Sequence, residues 1–240
     1  YPSNPYYFAP AAEPFHEVIT PWQRNFQGII GKNHARYFDA NGWLYFTKEY
    51  FDLFYPAYGD TYPTYNGSIG MTYEQAGHSL AGLAITVGDD TLTLADRIAH
   101  HFTTSLSTIE VASGNAEKIN TEFKKYFSDG MQNGSGNYKS YVVSGQEANK
   151  LAALKTLFDR NQIQYSQVKS GTVIKGYRYF SGKEEAYTIA KGDLLVSALQ
   201  PKANLVRVLF EPVSKLADSV TYDITAWALP YAYGIESYGV

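Results

Sequence analysis

Ile69, Met71 and Tyr73 alternate with Ser68, Gly70, Thr72 and Glu74, the period of an extended strand with bulky groups on one face and small polar groups on the other. Taken alone, this is a half-buried strand whose terminal Glu74 reaches solvent as the chain turns at Gly77. The same pattern also fits a strand-end carboxylate beside a row of very small side chains, where open α/β sheets tend to place their chemistry. Other stretches carry the helical period. After Thr20-Pro21, an N-cap followed by a first-turn proline, Trp22, Phe26, Ile29 and Ile30 predict a helix to about residue 36, with Gly31 weakening its middle. Leu92, Leu94, Ile98, Phe102, Leu106 and Ile109 predict an amphipathic helix over 92–111, and 116–127 a further helix whose last turns hold Lys124 and Lys125. Between these lie a turn at 39–42, an extended piece at 43–46 and a helix start at Thr47 running to about Phe54, where Pro56 stops it. The ten residues 58–67 form a loop with Tyr58, Tyr62 and Tyr65.

Residues 128–137 hold three glycines and almost no apolar mass, and mark a boundary between a first domain (1–128) and a second (138–240), with 129–137 as the linker. In the second domain, 138–143 reads as a strand, 146–161 as a helix with Leu151, Leu154, Leu157 and Phe158 inward, and 163–168 as another strand. Together they make one βαβ unit with a right-handed crossover. Strands at 187–190 and 194–199 flank the Lys191-Gly192-Asp193 turn, and 205–210 reads as a short helix. The fold class is α/β.

With 240 residues and 45% hydrophobic content, the chain can bury a sizeable core. Its net charge is −3, with 20 basic and 23 acidic residues scattered along it, which argues against a nucleic-acid partner or an anionic membrane surface. No apolar run is long enough for a membrane span. The absence of cysteine excludes disulfides and thiolate metal sites. Of the five histidines, His100 and His101 are adjacent on a helix, point about 100° apart and read as surface or rim groups. His16, His34 and His78 lack a partner at ligand spacing, so metal: none is the expectation for this chain's own residues. Residues 1–15 pack four prolines and five aromatic residues into an irregular segment that is expected to follow other structure.

Tyr6-Tyr7-Phe8-Ala9-Pro10, Tyr58-Gly59-Asp60, the stretch from Gly67 to Gly77 and Leu92-Thr93-Leu94-Ala95-Asp96-Arg97 together resemble the later part of bacterial zinc metallocarboxypeptidases of the carboxypeptidase A type. The tail, with Gln200-Pro201, Leu209-Phe210-Glu211-Pro212 and Tyr222 to Pro230, is similar to the extension that follows the catalytic domain in that branch. The resemblance implies a partial carboxypeptidase-like α/β/α sheet domain followed by a small α/β domain. It assigns Glu74 as the catalytic base that promotes attack of water on the peptide carbonyl and passes the proton to the leaving amine. A loop tyrosine closes over the substrate's last residue in that family; Tyr58, Tyr62 and Tyr65 compete for the part, with Tyr58 preferred for its place in Tyr-Gly-Asp. The family's His-x-x-Glu, its later His ligand and its carboxylate-gripping arginines have no counterpart here. The resemblance therefore implies zinc held by ligands outside these residues, a peptide substrate, a secreted or periplasmic address, and a fragment inactive by itself. Exposed sheet edges, and with them self-association, would follow. The alternative is a non-catalytic peptide- or glycan-binding module in which the tyrosine loop grips the ligand.

Overall fold

A computed structural model of the chain describes residues 6–76, 84–87, 90–169, 171–216 and 227–240. It is mixed α/β, with seven helices and four sheets among the described residues. It divides into two compact units at Glu122 and Phe123; residues 65–67 belong with the second. Gly77, His78 and the 222–226 part of the tail motif lie outside the described residues.

The first unit is built from short strands around two long helices. In chain order they are β1 (Tyr6–Tyr7), β2 (Ala12–Phe15), α1 (Pro21–Asn41), β3 (Asp52–Leu53), α2 (Thr61–Thr64), β4 (Glu74–Gln75), β5 (Ala84–Val87), β6 (Asp90–Thr93) and α3 (Leu94–Gly114). The strands pair in twos: β1 antiparallel to β4, β2 parallel to β3, and β5 antiparallel to β6. α1 starts where its sequence predicts. Thr20 accepts from the Gln23 amide and Gln23 reaches back to the Thr20 amide, a reciprocal capping box that satisfies two otherwise orphaned donors. The helix runs one turn beyond the expected end. Gly31 is there for contact: a Cβ on it would lie 2.1 Å from the Ala9 carbonyl oxygen, so only glycine lets the 8–10 segment rest on α1.

Two local expectations are corrected. The predicted strand over 68–74 shrinks to β4, because residues 68–73 spend their hydrogen bonds on side chains and on the 58–64 segment. Its alternation survives in the packing, with Ile69 and Met71 against Phe26, Ile30 and Val111, and Tyr73 against Tyr6, Phe8 and Phe38. The predicted helix from Thr47 does not form. Lys48 and Tyr50 adopt positive φ (60° and 64°), the Lys48 amide donates to the Pro10 carbonyl, and the chain continues into β3 beside β2.

α3 is where it was expected, capped by Thr93 and Asp96, but turned around. Its apolar residues Leu94, Ile98, Phe102, Leu106 and Ile109 are 51–63% exposed, while His100, Thr104, Ser107 and Val111 are buried. The reading of His100 as a surface group is thus overturned. The partners explain the inversion: the inward face of α3 forms hydrogen bonds with α1, β1, β4 and Tyr73.

α4 (Ala116–Asn133) follows, so the glycine-containing stretch after 128 is helical through Asn133 and irregular from Gly134. Beyond it come β7 (Ser140–Val143), α5 (Ala148–Asn161), β8 (Ser166–Gln167), β9 (Val173–Arg178), β10 (Lys183–Thr188), β11 (Leu194–Ser197), α6 (Ala203–Phe210), α7 (Leu229–Tyr233) and β12 (Ser237–Gly239). The six strands form one sheet in the order β10-β9-β12-β7-β11-β8. β7 and β8 are each antiparallel to β11 and hence parallel to one another, so the βαβ unit exists with β11 inserted between its strands. Alternation along β7 sorts the core: Tyr141 stacks on Phe210 of α6, with ring centres 4.7 Å apart, while Val142 joins Ile189 and Tyr238. Asp193 is buried at the turn into β11 and accepts from the Gly145 amide, the Ala190 amide and the Tyr187 hydroxyl.

Candidate functional site

β4 places two adjacent polar residues against α3. Its partner β1 sets Tyr7 opposite Glu74 and Tyr6 opposite Gln75. Gln75 Oε1 meets His100 Nδ1 at 2.7 Å. The Tyr6 hydroxyl lies 2.9 Å from His101 Nδ1 and 2.8 Å from Thr104 Oγ1. A row of pairs continues along the helix, with Tyr73 Oη to Thr108 Oγ1 at 2.7 Å and His34 Nδ1 to Ser107 Oγ at 2.7 Å. Asn33 donates to Ser107 Oγ and to Glu110. Each member answers a polar group that burial would otherwise strand.

Burial dominates the electrostatics of this row. It pushes the Tyr6 hydroxyl well above its ordinary pKa, aided by the Glu74 charge and eased by the bond to Thr104. It lowers His100 against the opposing pull of Asp96, and lowers His101 against the opposing pull of Glu74. His34 falls furthest, to about 4, for burial alone, and its Nε2 has no hydrogen-bond partner. His34, His100 and His101 are therefore neutral near pH 7.

Glu74 itself is half-buried, and its carboxylate makes no hydrogen bond or ion pair with a described residue; its field acts on Tyr6 and His101. The small residues ahead of it serve a purpose that the pattern could not specify. A Cβ on Gly70 would meet the Asp60 carbonyl oxygen at 1.7 Å, so the group that approaches this backbone is the protein's own 58–64 segment. Gly70 donates to Thr64 Oγ1 and accepts from Gln27 Nε2, while Thr72 donates to Asp60 Oδ2 at 2.6 Å. Asp60 is buried and also accepts from Thr61. The Tyr-Gly-Asp triplet is thereby tied to the residues that lead into Glu74.

The three loop tyrosines separate. Tyr58 and Tyr62 are 37% and 41% exposed, Tyr58 in edge contact with Tyr55 and Tyr62 within α2. Tyr65 is 1% exposed, groups with the second unit, and its carbonyl accepts from the Tyr126 hydroxyl at 2.8 Å. Tyr65 is thus removed from the substrate-facing set, since a ring packed into a core has no face for a ligand. An open groove that the sequence did not announce lies elsewhere on the first unit, among Pro10, Glu13, Phe15, Arg24, Asn25 and Lys48. Arg24 is committed there to the carbonyls of Phe15, His16 and Ile19.

Among the described residues no group of three or more His, Cys, Asp or Glu side chains is placed to hold a metal ion. On α3, His100 Nδ1 is engaged by Gln75 and His101 Nδ1 by Tyr6. Among the described residues no helix is long and apolar enough to cross a membrane. Comparison with family models, with curated proteins and with solved structures returned no match.

Proposed function

We propose that this chain forms the general-base side of a zinc-dependent carboxypeptidase that releases C-terminal residues from peptides, with the zinc ligands lying outside these 240 residues. The observation that carries the reading is the state of Glu74: a half-buried carboxylate, unbonded to any described side chain, on a short strand paired with β1, after a segment that Gly70 and Thr72 tie to residues 60–64. A structural carboxylate would be spent on hydrogen-bond donors, as Asp193 is on the Gly145 and Ala190 amides and Glu110 on Arg36. A general base needs a free oxygen lone pair, and among the described residues nothing occupies those of Glu74.

In this role Glu74 takes a proton from the attacking water and returns it to the leaving amine. Exposed Tyr58 and Tyr62 form the aromatic wall on which the peptide's last residue rests. The finer α/β/α arrangement of a carboxypeptidase domain, a secreted or periplasmic address and zinc as the metal belong to the same proposal, as does inactivity of the 240 residues by themselves. The test is Glu74→Gln in the intact, zinc-loaded protein. Turnover of a peptide with a free C-terminus should fall by roughly 10²–10⁴ with KM little changed. Unchanged turnover would sink the reading.

The exposure of Tyr58 and Tyr62 also favours a second reading, a module that binds peptide or glycan without cleaving it. Glu74→Gln distinguishes them: an enzyme loses turnover and keeps its binding, whereas a module has no turnover to lose and changes little in affinity.

A further inference from the structure

We propose that α3 is a self-association surface, through which two copies of this chain pair antiparallel about a twofold axis near Phe102. The outward face of α3 carries Leu94, Ile98, Phe102, Leu106 and Ile109, every one at least half exposed. Between Arg97 and Glu110 the helix contains no aspartate, glutamate, lysine or arginine. On a helix at about 100° per residue, Ala95, Ala99, Ser105 and Ser113, small and uncharged, lie within or beside this ridge, and His101 and Glu110 border it on either side. A helix face meant for water carries charge; one meant for a close partner carries a bulky ridge with small flanks.

The spacing identifies the partner as a second copy. Counted from Phe102, the ridge residues stand at −8, −4, +4 and +7 along the chain, nearly symmetric about the centre. An isologous contact demands that residue i meet j while j meets i. Reversing one copy about Phe102 sets Ile98 against Leu106, Leu94 against Ile109, and Phe102 against itself, large apolar groups on each side throughout. Because the face is uncharged, bringing two copies together sets no like charges against each other.

Area is consistent with a reversible dimer. Five large side chains at this exposure present on the order of 500 Å², and the small flanks bring the face towards the roughly 800 Å² per partner of a stable complex. The association expected from strand edges is thereby assigned to a helix.

Sedimentation velocity of the 240-residue chain across the micromolar range should show a monomer–dimer equilibrium. Phe102→Glu should weaken it at least about 100-fold while leaving the circular dichroism unchanged, since the ring is 63% exposed. The absence of native cysteine allows a second, independent test. In the double variant Ala95→Cys with Ile109→Cys, two positions seven residues either side of Phe102 and close to the centre of the ridge, antiparallel pairing sets each new thiol beside the other position in the second copy, and mild oxidation should give a covalent dimer. Ser105→Cys alone should not, because the two copies of that position stand about 9 Å apart along the axis. A chain that stays monomeric over the whole range, a dimer indifferent to Phe102→Glu, or cross-linking as efficient from Ser105→Cys alone would each overturn the proposal.

Discussion

Acidification should destabilise this protein through His34, and the size of the effect follows from where the ring sits. His34 is fully buried on α1, with Phe8 and Tyr73 in edge contact at 5.2 and 4.9 Å and Ser107 Oγ at 2.7 Å from Nδ1. No carboxylate is hydrogen-bonded to it, and its Nε2 has no acceptor, so a second proton would create a charge with nothing to receive it. Burial accordingly holds the folded pKa near 4, below the 6.5 of an exposed imidazole. A folded pKa below the unfolded one means that the unfolded chain binds the proton more readily. Stability from this group is complete above about pH 7, declines as pH falls through 6.5, and reaches its full loss once pH passes 4. The loss is about 0.8 kcal/mol at pH 6, about 2 kcal/mol at pH 5, and about 3.4 kcal/mol in the limit, from a 2.5-unit gap at 1.36 kcal/mol per unit. His100 and His101 are lowered too and add slope of the same sign. The informative measurement is therefore a difference: urea unfolding of the native chain and of His34→Gln at intervals between pH 7.5 and about 5, above the range where ordinary carboxylates titrate. The native protein should lose about 2 kcal/mol more than the variant over that span. Parallel curves for the two proteins would refute the assignment of the slope to His34.

Two packing predictions rest on equally local geometry. Gly31→Ala puts a methyl 2.1 Å from the Ala9 carbonyl oxygen, so the 8–10 segment must lift from α1, and thermal unfolding should shift downward by the equivalent of roughly 1–3 kcal/mol; an unchanged or raised Tm would mean that the contact is not made. Tyr126→Phe removes the donor to the buried Tyr65 carbonyl and should cost about 1–3 kcal/mol in chemical denaturation, whereas a neutral result would show that water reaches that carbonyl.

Much of the chain was legible because its signals are local. Thr20, Pro21 and Gln23 cap α1 within a single turn, and Thr93 with Asp96 does the same for α3. The βαβ order of the second unit, the short α6 and the Lys191-Gly192-Asp193 turn could likewise be read from periodicity and punctuation. The segment after Thr47 misled for the opposite reason. Thr47-Lys48-Glu49 reads as a helix start, but Lys48 donates to Pro10 and the chain is drawn beside β2, a contact between positions nearly forty residues apart. Tyr58, Tyr62 and Tyr65 competed along the chain, with Tyr58 preferred for its place in Tyr-Gly-Asp, and only packing divides two exposed rings from one core ring.

The clearest division between the two kinds of information is α3. Sequence alone established that residues near 94–111 are helical and that one face is apolar. It could not establish which face turns inward, because hydrophobicity by itself votes for Leu94, Ile98 and Phe102. The tertiary structure reversed the choice through hydrogen bonds spanning most of the first unit, Tyr6 to His101 and Thr104, His34 to Ser107, and Gln75 to His100. A buried polar group without a partner costs more than an apolar group left in water, so a row of side chains able to satisfy one another across the fold outweighs the apolar stripe. That row is also what brings His101 and Tyr6 to Glu74, which is why the surroundings of the proposed base were invisible until the chain was folded.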